Sequence, residues 1–317
     1  MDYPILLGSD KNIMNSYTHT GTAHSVAANR ISYAFDFQGP SVAIDTACAS
    51  SMTAAHFACS GLRNEECDIA LVAGSNLNLL PEVTIGFSKL GVLSSNGVSC
   101  PFDEKSNGYV RSEGWGAVIL KCLDKAIVDG DHIYSIIKGS TIADNGASGS
   151  LTMPSAEAQE RVIRETYLKH GVPHASVQYV EAHGTSTPVG DPLEAKAIGR
   201  VFGKSRSSLF PIKIGSVKSN FGHMECAAGI ASIIKCALML EKRFLCPSIN
   251  FQKISPNIDA AHHNLAGLVA CSGGRYFYVE MKMKMKLMEN DLGRIKVTRG
   301  PALGPHRVRG PLYSRST

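Results

Sequence analysis

Three short motifs place residues capable of acyl chemistry beside small or polar turns. Cys48 stands in DTACASS, His183 in EAHGTSTPVGDPLE and His223 in KSNFGHMECAAG. A thiol forms thioesters with acyl groups, and neutral imidazoles stabilise the oxyanion or enolate charge that develops in later steps. If the three side chains meet in one pocket, they can carry out acyl transfer to sulfur.

Cys48 is predicted to lie on a turn between a strand and a helix. The apolar segment 40–47 predicts the strand, and the small residues of about 49–63 predict a helix that packs tightly inside the protein. A helix N-terminus lowers the pKa of a nearby thiol, so we expect the sulfur to favour the thiolate. A structural cysteine at a buried helix start is the alternative that its position leaves open.

Both histidines are also predicted to follow strands. His183 ends the predicted strand 177–184, and the glycine and hydroxyl residues after it indicate a backbone that approaches a ligand closely. His223 follows the predicted strand 211–220 and precedes an apolar helix at about 226–241. A histidine satisfied inside the core is the alternative for His183.

Lys218 lies among apolar neighbours, where an unpaired ammonium would be very costly. We expect it to form an ion pair with Glu194, which lies in a helix predicted at about 191–202. That helix has Pro192 near its first turn, and Asp191 is placed to cap it.

The elements that must position these residues follow an alternating pattern. Short apolar strands and amphipathic helices alternate up to about residue 265, which predicts an α/β protein with a mostly parallel sheet covered on both faces. Residues 114–146 predict a strand, a short helix and a strand, and 155–169 predicts a helix beginning at Ser155. Because strand ends meet at one edge of a parallel sheet, the three motifs are expected to converge.

Composition and charge favour an enzyme-like domain over a nucleic-acid or membrane protein. The chain has 317 residues, of which 44% are hydrophobic and 19% charged, enough for a large core. Its net charge of +5 comes from the end of the chain, since residues 1–274 contain 22 Lys and Arg against 24 Asp and Glu. No run approaches the roughly 18 apolar residues of a spanning helix.

The nine cysteines form no CxxC pair and no Cys-His metal spacing, which predicts a reducing, cytoplasmic location and no bound metal. The alternation of predicted strands and helices stops at about residue 265. Residues 266–317 form a basic stretch in which we expect little packed structure. A basic arm for nucleic acid or membrane is the alternative for that stretch.

Taken together, the motifs resemble the β-ketoacyl synthases, and among them the ketosynthase domains of polyketide synthases and animal-type fatty acid synthases. The resemblance covers about residues 15–260 and includes GTAHSVAANRISYAFDFQGPSVAIDTACASS, PFDEKSNGYVRSEGWGAVILK, VEAHGTSTPVGDPLEAKAI and IGSVKSNFGHMECAAGIASIIK, in that order. Three separate motifs at family-like intervals make the resemblance specific.

The resemblance implies a decarboxylative condensation without a permanently bound cofactor. Cys48 would take an acyl chain from an acyl carrier protein or coenzyme A, and His183 and His223 would promote decarboxylation of a malonyl carrier and stabilise the enolate. Lys218 and Glu194 would support the histidines. Thr185 and Thr187 would hydrogen-bond the phosphopantetheine arm of the carrier.

The fold implied is thiolase-like, with layers in the order α-β-α-β-α, and is usually a homodimer. Residues 1–125 would form part of its N-terminal half and 126–265 part of its C-terminal half, with 266–317 outside the pattern. We expect the fold to be incomplete at both ends. An inactive fragment that only associates with a synthase subunit is therefore an alternative, as is a thiolase, although the EAHGTST and KSNFGH pair argues against the latter.

Overall fold

The computed structural model describes residues 2–8, 11–147, 149–204, 206–267 and 295–298. Its α-helices are α1 (Asp2–Gly8), α2 (Thr18–Thr22), α3 (His24–Phe35), α4 (Ser50–Arg63), α5 (Pro81–Lys89), α6 (Leu123–Val128), α7 (Ala156–Lys169), α8 (Gly190–Ile198), α9 (Lys218–Phe221) and α10 (Ala228–Lys242). Its strands are β1 (Ile69–Asn76), β2 (Gly114–Cys122), β3 (Ile133–Ile137), β4 (Tyr179–Glu181), β5 (Ile212–Gly215), β6 (Leu265–Gly267) and β7 (Ile295–Thr298). Short 3₁₀ turns cover Lys11–Ile13, Ala47–Ala49, His174–Ser176 and Glu225–Ala227, and a π-helical turn covers Gly199–Gly203.

The first sheet has the order β1-β2-β7-β3, and every pairing in it is antiparallel. Helices α4 and α10 pack against it and contribute to one apolar core. The buried members of this core are Ala55, Cys59, Leu62, Val72, Val118, Leu120, Met224, Ala227 and Ile230. The helix that follows Cys48 is thereby fixed against the sheet by burial of apolar surface.

The second sheet has the order β4-β5-β6 and is parallel throughout. Its core is separate from the first and draws on α8, the π-helical turn and the loop at Phe102. The buried members are Phe102, Ala182, Ala195, Ile198, Val201, Phe202, Ile212, Ile214, Phe251, Ile258 and Leu265. The carboxyl ends of β4 and β5 therefore lie side by side, as parallel strands require.

The expectation of a mostly parallel sheet is correct only for this second sheet. The predicted strand 40–47 is wrong: the segment forms no strand with any of the described residues, Ala47 lies in a 3₁₀ turn, and Val42 is 66% exposed. Its β-branched residues suit a strand, yet strand structure also needs a paired neighbour, and sequence pattern does not supply one. The predicted strands 177–184 and 211–220 shorten to β4 and β5, and α9 begins at Lys218.

The helix predictions are confirmed more closely than the strand predictions. The helices expected at about 49–63, 155–169 and 226–241 are α4, α7 and α10, and Ser155 caps α7 by accepting a 3.1 Å hydrogen bond from the Ala158 amide. The strand, short helix and strand predicted within 114–146 are β2, α6 and β3. Periodic helical patterns are local, so they persist without knowledge of tertiary neighbours.

Small residues let α4 and α10 approach each other closely. A Cβ added at Gly229 would lie 2.9 Å from the Ser51 hydroxyl, so a larger side chain at position 229 would push the helices apart. The Ser51 hydroxyl also accepts a 3.0 Å hydrogen bond from the Ile230 amide. This contact joins the start of the Cys48 helix directly to the helix that follows His223.

The stretch 266–317 is only partly described, since residues 268–294 and 299–317 lie outside the described residues. Within it, β7 pairs with both β2 and β3, so the expectation of little packed structure is wrong for these four residues. Their sequence, IKVT, is rich in β-branched residues, which suits a strand. Among the described residues, no helix is both long and apolar enough to cross a membrane.

Replacing Ser155 by alanine should destabilise the protein by about 1 kcal/mol, because the amide of Ala158 loses its capping acceptor. Urea denaturation would measure the loss. The control is Ser88→Ala on the exposed surface of α5, where alanine suits a helix and no loss is expected. Equal effects of the two substitutions would contradict the capping role.

Candidate active site

Cys48 lies in the 3₁₀ turn that leads into α4. The turn is held by local hydrogen bonds: the Ala47 amide donates to the Asp45 carboxylate at 2.9 Å, and the Thr46 amide donates to the Ser50 hydroxyl at 2.9 Å. That hydroxyl in turn donates to the Ala47 carbonyl at 2.7 Å. Ala47 has a φ of 50°, a conformation that a non-glycine residue rarely adopts, so the hydrogen bonds must hold the turn against strain.

His223 is fully buried and follows the end of α9. Gly222 has a φ of 74°, and a Cβ there would lie 2.9 Å from the Val110 carbonyl, which explains the glycine. The His223 amide donates to that carbonyl at 2.7 Å, and its own carbonyl accepts from the Ser112 amide at 3.0 Å. The backbone on both sides of the ring is thus tied to the segment before β2.

The hydrogen bonds of the His223 ring determine its tautomer. Its Nδ1 accepts a 3.0 Å hydrogen bond from the Glu225 amide, so the proton of the neutral ring must lie on Nε2. Nε2 is 3.1 Å from the sulfur of Cys48. His223 therefore presents a donor to the thiol and to any oxyanion formed beside it.

His183 lies two residues beyond β4, and its backbone is anchored by Glu194. The Glu194 carboxylate accepts hydrogen bonds from the amides of His183 and Gly184, at 2.6 and 2.8 Å. Lys218 donates to the His183 carbonyl at 2.6 Å, and its ammonium is 3.4 Å from Nδ1 of the ring. Nδ1 faces a donor here too, so Nε2 carries the proton.

The predicted ion pair between Lys218 and Glu194 is wrong as a direct contact. Each residue binds His183 instead. The Glu194 carboxylate accepts a hydrogen bond from the His183 amide, and the Lys218 ammonium donates to the His183 carbonyl and faces the ring. Two backbone amides satisfy the carboxylate, so it needs no direct ammonium partner. The opposite charges still favour each other through space and lie on either side of the His183 backbone.

Three polar residues of the His183 turn make hydrogen bonds with nearby groups, and one of them differs from its prediction. Asp191 does not cap α8, because its carboxylate accepts a 2.7 Å hydrogen bond from the Phe102 amide. Thr187 instead accepts from the Gly190 amide at 3.1 Å, and its hydroxyl lies 3.2 Å from that of Thr185. Both threonines are half-buried in the turn that follows His183 in sequence, and their binding of a pantetheine arm stays a prediction.

The structure brings the three predicted catalytic side chains together. The rings of His183 and His223 lie 5.6 Å apart between centroids and nearly perpendicular, at 86°. Cys48 is in contact with the second of these rings. The site thus has one nucleophile and two imidazole donors within reach of a small acyl group.

Desolvation governs the protonation of the three groups, of which His223 is fully buried, Cys48 is half-buried and His183 lies at an exposed position. Desolvation first, and then the Lys218 ammonium, lower the pKa of both His183 and His223, so both rings are neutral at pH 7. The thiolate predicted for Cys48 is wrong for the resting protein: burial and then the Glu225 carboxylate raise its pKa to about 11, against the opposing effect of Lys218. Desolvation is the largest cause of this shift.

Sequence reasoning missed a buried network beneath the site. The Glu181 carboxylate, whose side chain is 4% exposed, pairs with Lys235 of α10 at 2.6 Å and accepts from the Tyr179 hydroxyl at 2.5 Å. Its other oxygen accepts from the Val217 amide at 2.5 Å. This carboxylate therefore links the strand before His183 to the turn before Lys218, and its position two residues ahead of His183 is the signal that could have found it.

A second missed pair flanks His223. Arg111 donates to the Glu225 carboxylate at 3.2 Å, with side chains only 7% and 13% exposed. The same guanidinium donates to the Thr84 hydroxyl at 2.6 Å and lies over the Phe87 ring, 5.2 Å from its centroid. The pair is visible in sequence only as a glutamate two residues after the histidine, which by itself predicts nothing about contacts.

Cys48, His223 and Glu225 place one donor atom each within 4.8 Å of one another. A metal bound at Nε2 of His223 would require the proton to leave that atom while Nδ1 still accepts from an amide. The Glu225 carboxylate is already paired with Arg111. These existing contacts favour a hydrogen-bonded arrangement over a metal site.

Two family profiles match the chain. The profile described as Beta-ketoacyl synthase, N-terminal domain, matches residues 3–126, and Beta-ketoacyl synthase, C-terminal domain, matches 134–252. The chain belongs to the β-ketoacyl synthase family. The resemblance seen in its motifs is thereby confirmed, and the family consists of acyltransferase-type condensing enzymes.

Curated relatives of this β-ketoacyl synthase chain are polyketide synthases. Probable polyketide synthase 1 of Dictyostelium discoideum is 43% identical over 84% of this chain and 9% of the relative. Highly reducing polyketide synthase 40 of Fusarium mangiferae is 46% identical over 78% of this chain and 10% of the relative. The chain thus spans about a tenth of the length of each of these relatives.

A solved ketosynthase, that of module 6 of the bacillaene synthase from Bacillus subtilis 168, matches with a TM-score of 0.76 and 40% identity. The match covers 80% of this chain and 47% of that one, so the chain spans about half of the ketosynthase structure. The expected thiolase-like α/β fold is confirmed by this likeness.

The free energy of unfolding should fall as the pH falls below about 6.5. The unfolded chain protonates its histidines near that pH, whereas the pKa of the fully buried His223 is lowered in the fold, so the unfolded state binds more protons. The slope approaches about 1.4 kcal/mol per pH unit for a fully buried histidine and ends at its folded pKa.

Urea denaturation between about pH 7 and pH 5 would measure this slope. His223→Asn should reduce it, and His19→Asn at an exposed position should not. An unchanged slope in His223→Asn would contradict a buried neutral imidazole.

Replacing Lys218 by methionine should raise the pKa of His183, because the neighbouring positive charge disappears while the volume is kept. The pKa should stay below its ordinary value, since desolvation remains. A pH titration of the His183 ring by NMR would measure the change, with Lys169→Met at an exposed site as control. A His183 pKa that does not move would contradict the contact with Lys218.

Proposed function

We propose that this chain catalyses the decarboxylative condensation of an acyl thioester with a malonyl carrier, as the condensing unit of a polyketide or fatty acid synthase. The observation that carries the proposal is the contact of the Cys48 sulfur with the Nε2–H of His223, at 3.1 Å, beside the ring of His183. A thiol flanked by two neutral imidazole donors suits thioester formation followed by enolate chemistry.

In the first half-reaction, the Cys48 sulfur attacks the carbonyl carbon of an acyl thioester. The bond from that carbon to the carrier sulfur breaks, and the carrier leaves as a thiol after gaining the proton that Cys48 loses. Nε2 of His223 carries the ring proton, because Nδ1 is occupied by the Glu225 amide, so this ring does not take the proton that the thiol loses. The product is an acyl group on Cys48.

In the second half-reaction, a malonyl thioester loses carbon dioxide to give an enolate. The Nε2–H groups of His183 and His223 both point away from their occupied Nδ1 atoms and can donate to the enolate oxygen. The enolate carbon then attacks the acyl carbon of the Cys48 thioester. The bond from that carbon to the Cys48 sulfur breaks, and the sulfur leaves as a thiolate. Lys218 acts through the position and charge state of His183 and does not itself need to contact the substrate.

The substrates and partners are proposed from the same family membership. We propose that an acyl carrier protein delivers both thioesters on a phosphopantetheine arm, that Thr185 and Thr187 contact this arm, and that the enzyme acts as a homodimer in the cytoplasm without a resident cofactor. The half-buried position of both threonines in the turn just after His183, with their hydroxyls 3.2 Å apart, supports the arm contact. We also propose two halves that divide near residue 125, which agrees with the limits of the two matched profiles.

Cys48→Ala should abolish acyl loading, whereas His223→Ala should retain loading but lose malonyl decarboxylation. Incubation with acetyl-coenzyme A followed by intact mass spectrometry and peptide mapping measures loading, and carbon dioxide released from malonyl-coenzyme A measures decarboxylation. Cys67→Ala, at another half-buried cysteine, is the matched control and should load normally.

Loading that persists in Cys48→Ala would overturn the nucleophile. A folded wild-type chain that takes no acyl group would favour the non-catalytic alternative, in which the chain only associates with a synthase subunit. Wild-type loading without decarboxylation would contradict the roles given to the histidines.

A further inference from the structure

The proton that Cys48 must lose during loading has no acceptor on either imidazole. Nε2 of His223 is 3.1 Å from the sulfur but carries the ring proton, because Nδ1 accepts from the Glu225 amide. Nδ1 of His183 faces the Lys218 ammonium, which likewise leaves the proton on Nε2. Both rings therefore offer donors to the reaction, and the thiol proton has to go to another group.

The carboxylate of Glu225 lies close enough to take that proton. One of its oxygens, the Cys48 sulfur and one ring nitrogen of His223 all lie within 4.8 Å of one another. A single water molecule can bridge a donor and an acceptor over such a distance. The Glu225 side chain is only 13% exposed, so bulk water does not replace it as the nearby acceptor.

The position of this carboxylate is fixed by Arg111. The guanidinium donates to Oε1 of Glu225 at 3.2 Å and to the Thr84 hydroxyl at 2.6 Å, while it lies over the ring of Phe87. A carboxylate has two oxygens, so the one bound by Arg111 does not use up its capacity to accept. Buried ion pairs of this kind hold geometry more reliably than they add stability.

Glu225 also occupies a special backbone position. Its φ is 43°, a left-handed value, and in this conformation its amide reaches Nδ1 of His223. The same residue thus prevents the imidazole from accepting the thiol proton and places a carboxylate beside that thiol. These two features are found together in one residue.

We propose that Glu225 is the proton acceptor for Cys48 during acyl loading, acting through one water molecule, with Arg111 as the residue that positions its carboxylate. As the bond from sulfur to the acyl carbon forms, the thiol proton passes to the carboxylate. The bond from the acyl carbon to the carrier sulfur then breaks, and the carrier thiolate takes the proton from Glu225. The step needs no further reactant, and it rests on the proposed function.

Removing the charge of Glu225 is expected to change the ionisation of Cys48 and the rate of acyl loading in opposite senses. Several ionisable groups from different elements act on Cys48 or contact it. They are Glu225 and Cys226 of the turn before α10, Lys218 of α9, His223, and Tyr109 of the loop before β2. Burial first, and then the Glu225 carboxylate, raise the pKa of Cys48. Removing that charge should make the thiol easier to ionise while also removing the acceptor used in catalysis.

Glu225→Gln tests both consequences, because it keeps the backbone amide that binds His223. The midpoint of the pH profile for alkylation of Cys48 by iodoacetamide should shift to lower pH, read by mass spectrometry. Loading from acetyl-coenzyme A should nevertheless slow by about 10² or more, the usual effect of losing a proton-transfer group. Glu225→Asp should restore part of the loading rate, and the exposed control Glu165→Gln on α7 should change neither measurement.

In Glu225→Gln, alkylation at a lower pH together with slower loading distinguishes loss of the proton acceptor from general structural damage, which would not produce both changes. A Glu225→Gln variant that loads at the wild-type rate overturns the proposal, as does one in which the alkylation profile does not move. Wild-type protein that takes no acyl group overturns the proposed function and this proposal together, whereas normal wild-type loading with an unimpaired variant overturns this proposal alone.

Arg111→Lys provides a second test if Glu225→Gln does not fold. It keeps the positive charge but cannot bind Thr84 and Glu225 in the same planar geometry. Loading should slow without being abolished. Wild-type loading in Arg111→Lys, together with wild-type loading in Glu225→Asp, would likewise contradict the proposal.

Discussion

Both imidazole rings of the site have a donor at Nδ1, and this hydrogen-bonding constraint determines what the substrate meets. The Glu225 amide serves His223, and the Lys218 ammonium serves His183. With Nδ1 occupied, each neutral ring presents Nε2–H, which can stabilise oxygen anions but cannot remove a proton. The hydrogen-bonding roles of the two rings therefore follow from the Glu225 amide and the Lys218 ammonium, which act on Nδ1 and not on the substrate.

Those contacts depend on backbone arrangements that only close packing can sustain. Glu225 and Ala47 have left-handed φ values, and Gly222 supplies another beside His223. Each such conformation at a non-glycine residue is unfavourable by itself and persists because surrounding hydrogen bonds hold it. The strain is concentrated around the sulfur and the buried imidazole, where small displacements would change the 3.1 Å contact.

Buried charges tie the two sheets to this arrangement. Glu181 links β4 to α10 through Lys235, and Arg111 links the segment before β2 to the turn before α10 through Glu225. Such pairs recover little net stability after desolvation, yet breaking one partner leaves an expensive buried charge. Their contribution here is to hold α10, and with it the His223 turn, in one position relative to Cys48.

The sequence by itself determined the family, the three reactive side chains and the helices that follow them, because motif residues and helical periodicity are local properties of the chain. It could not decide that 40–47 remains unpaired, that Lys218 binds His183 in place of Glu194, or that Cys48 rests as a protonated thiol. Strand pairing, the choice among several carboxylate partners and desolvation all depend on which distant segments pack together. Only the tertiary structure sets those neighbours, and so it alone placed the carboxylate of Glu225 beside the nucleophile.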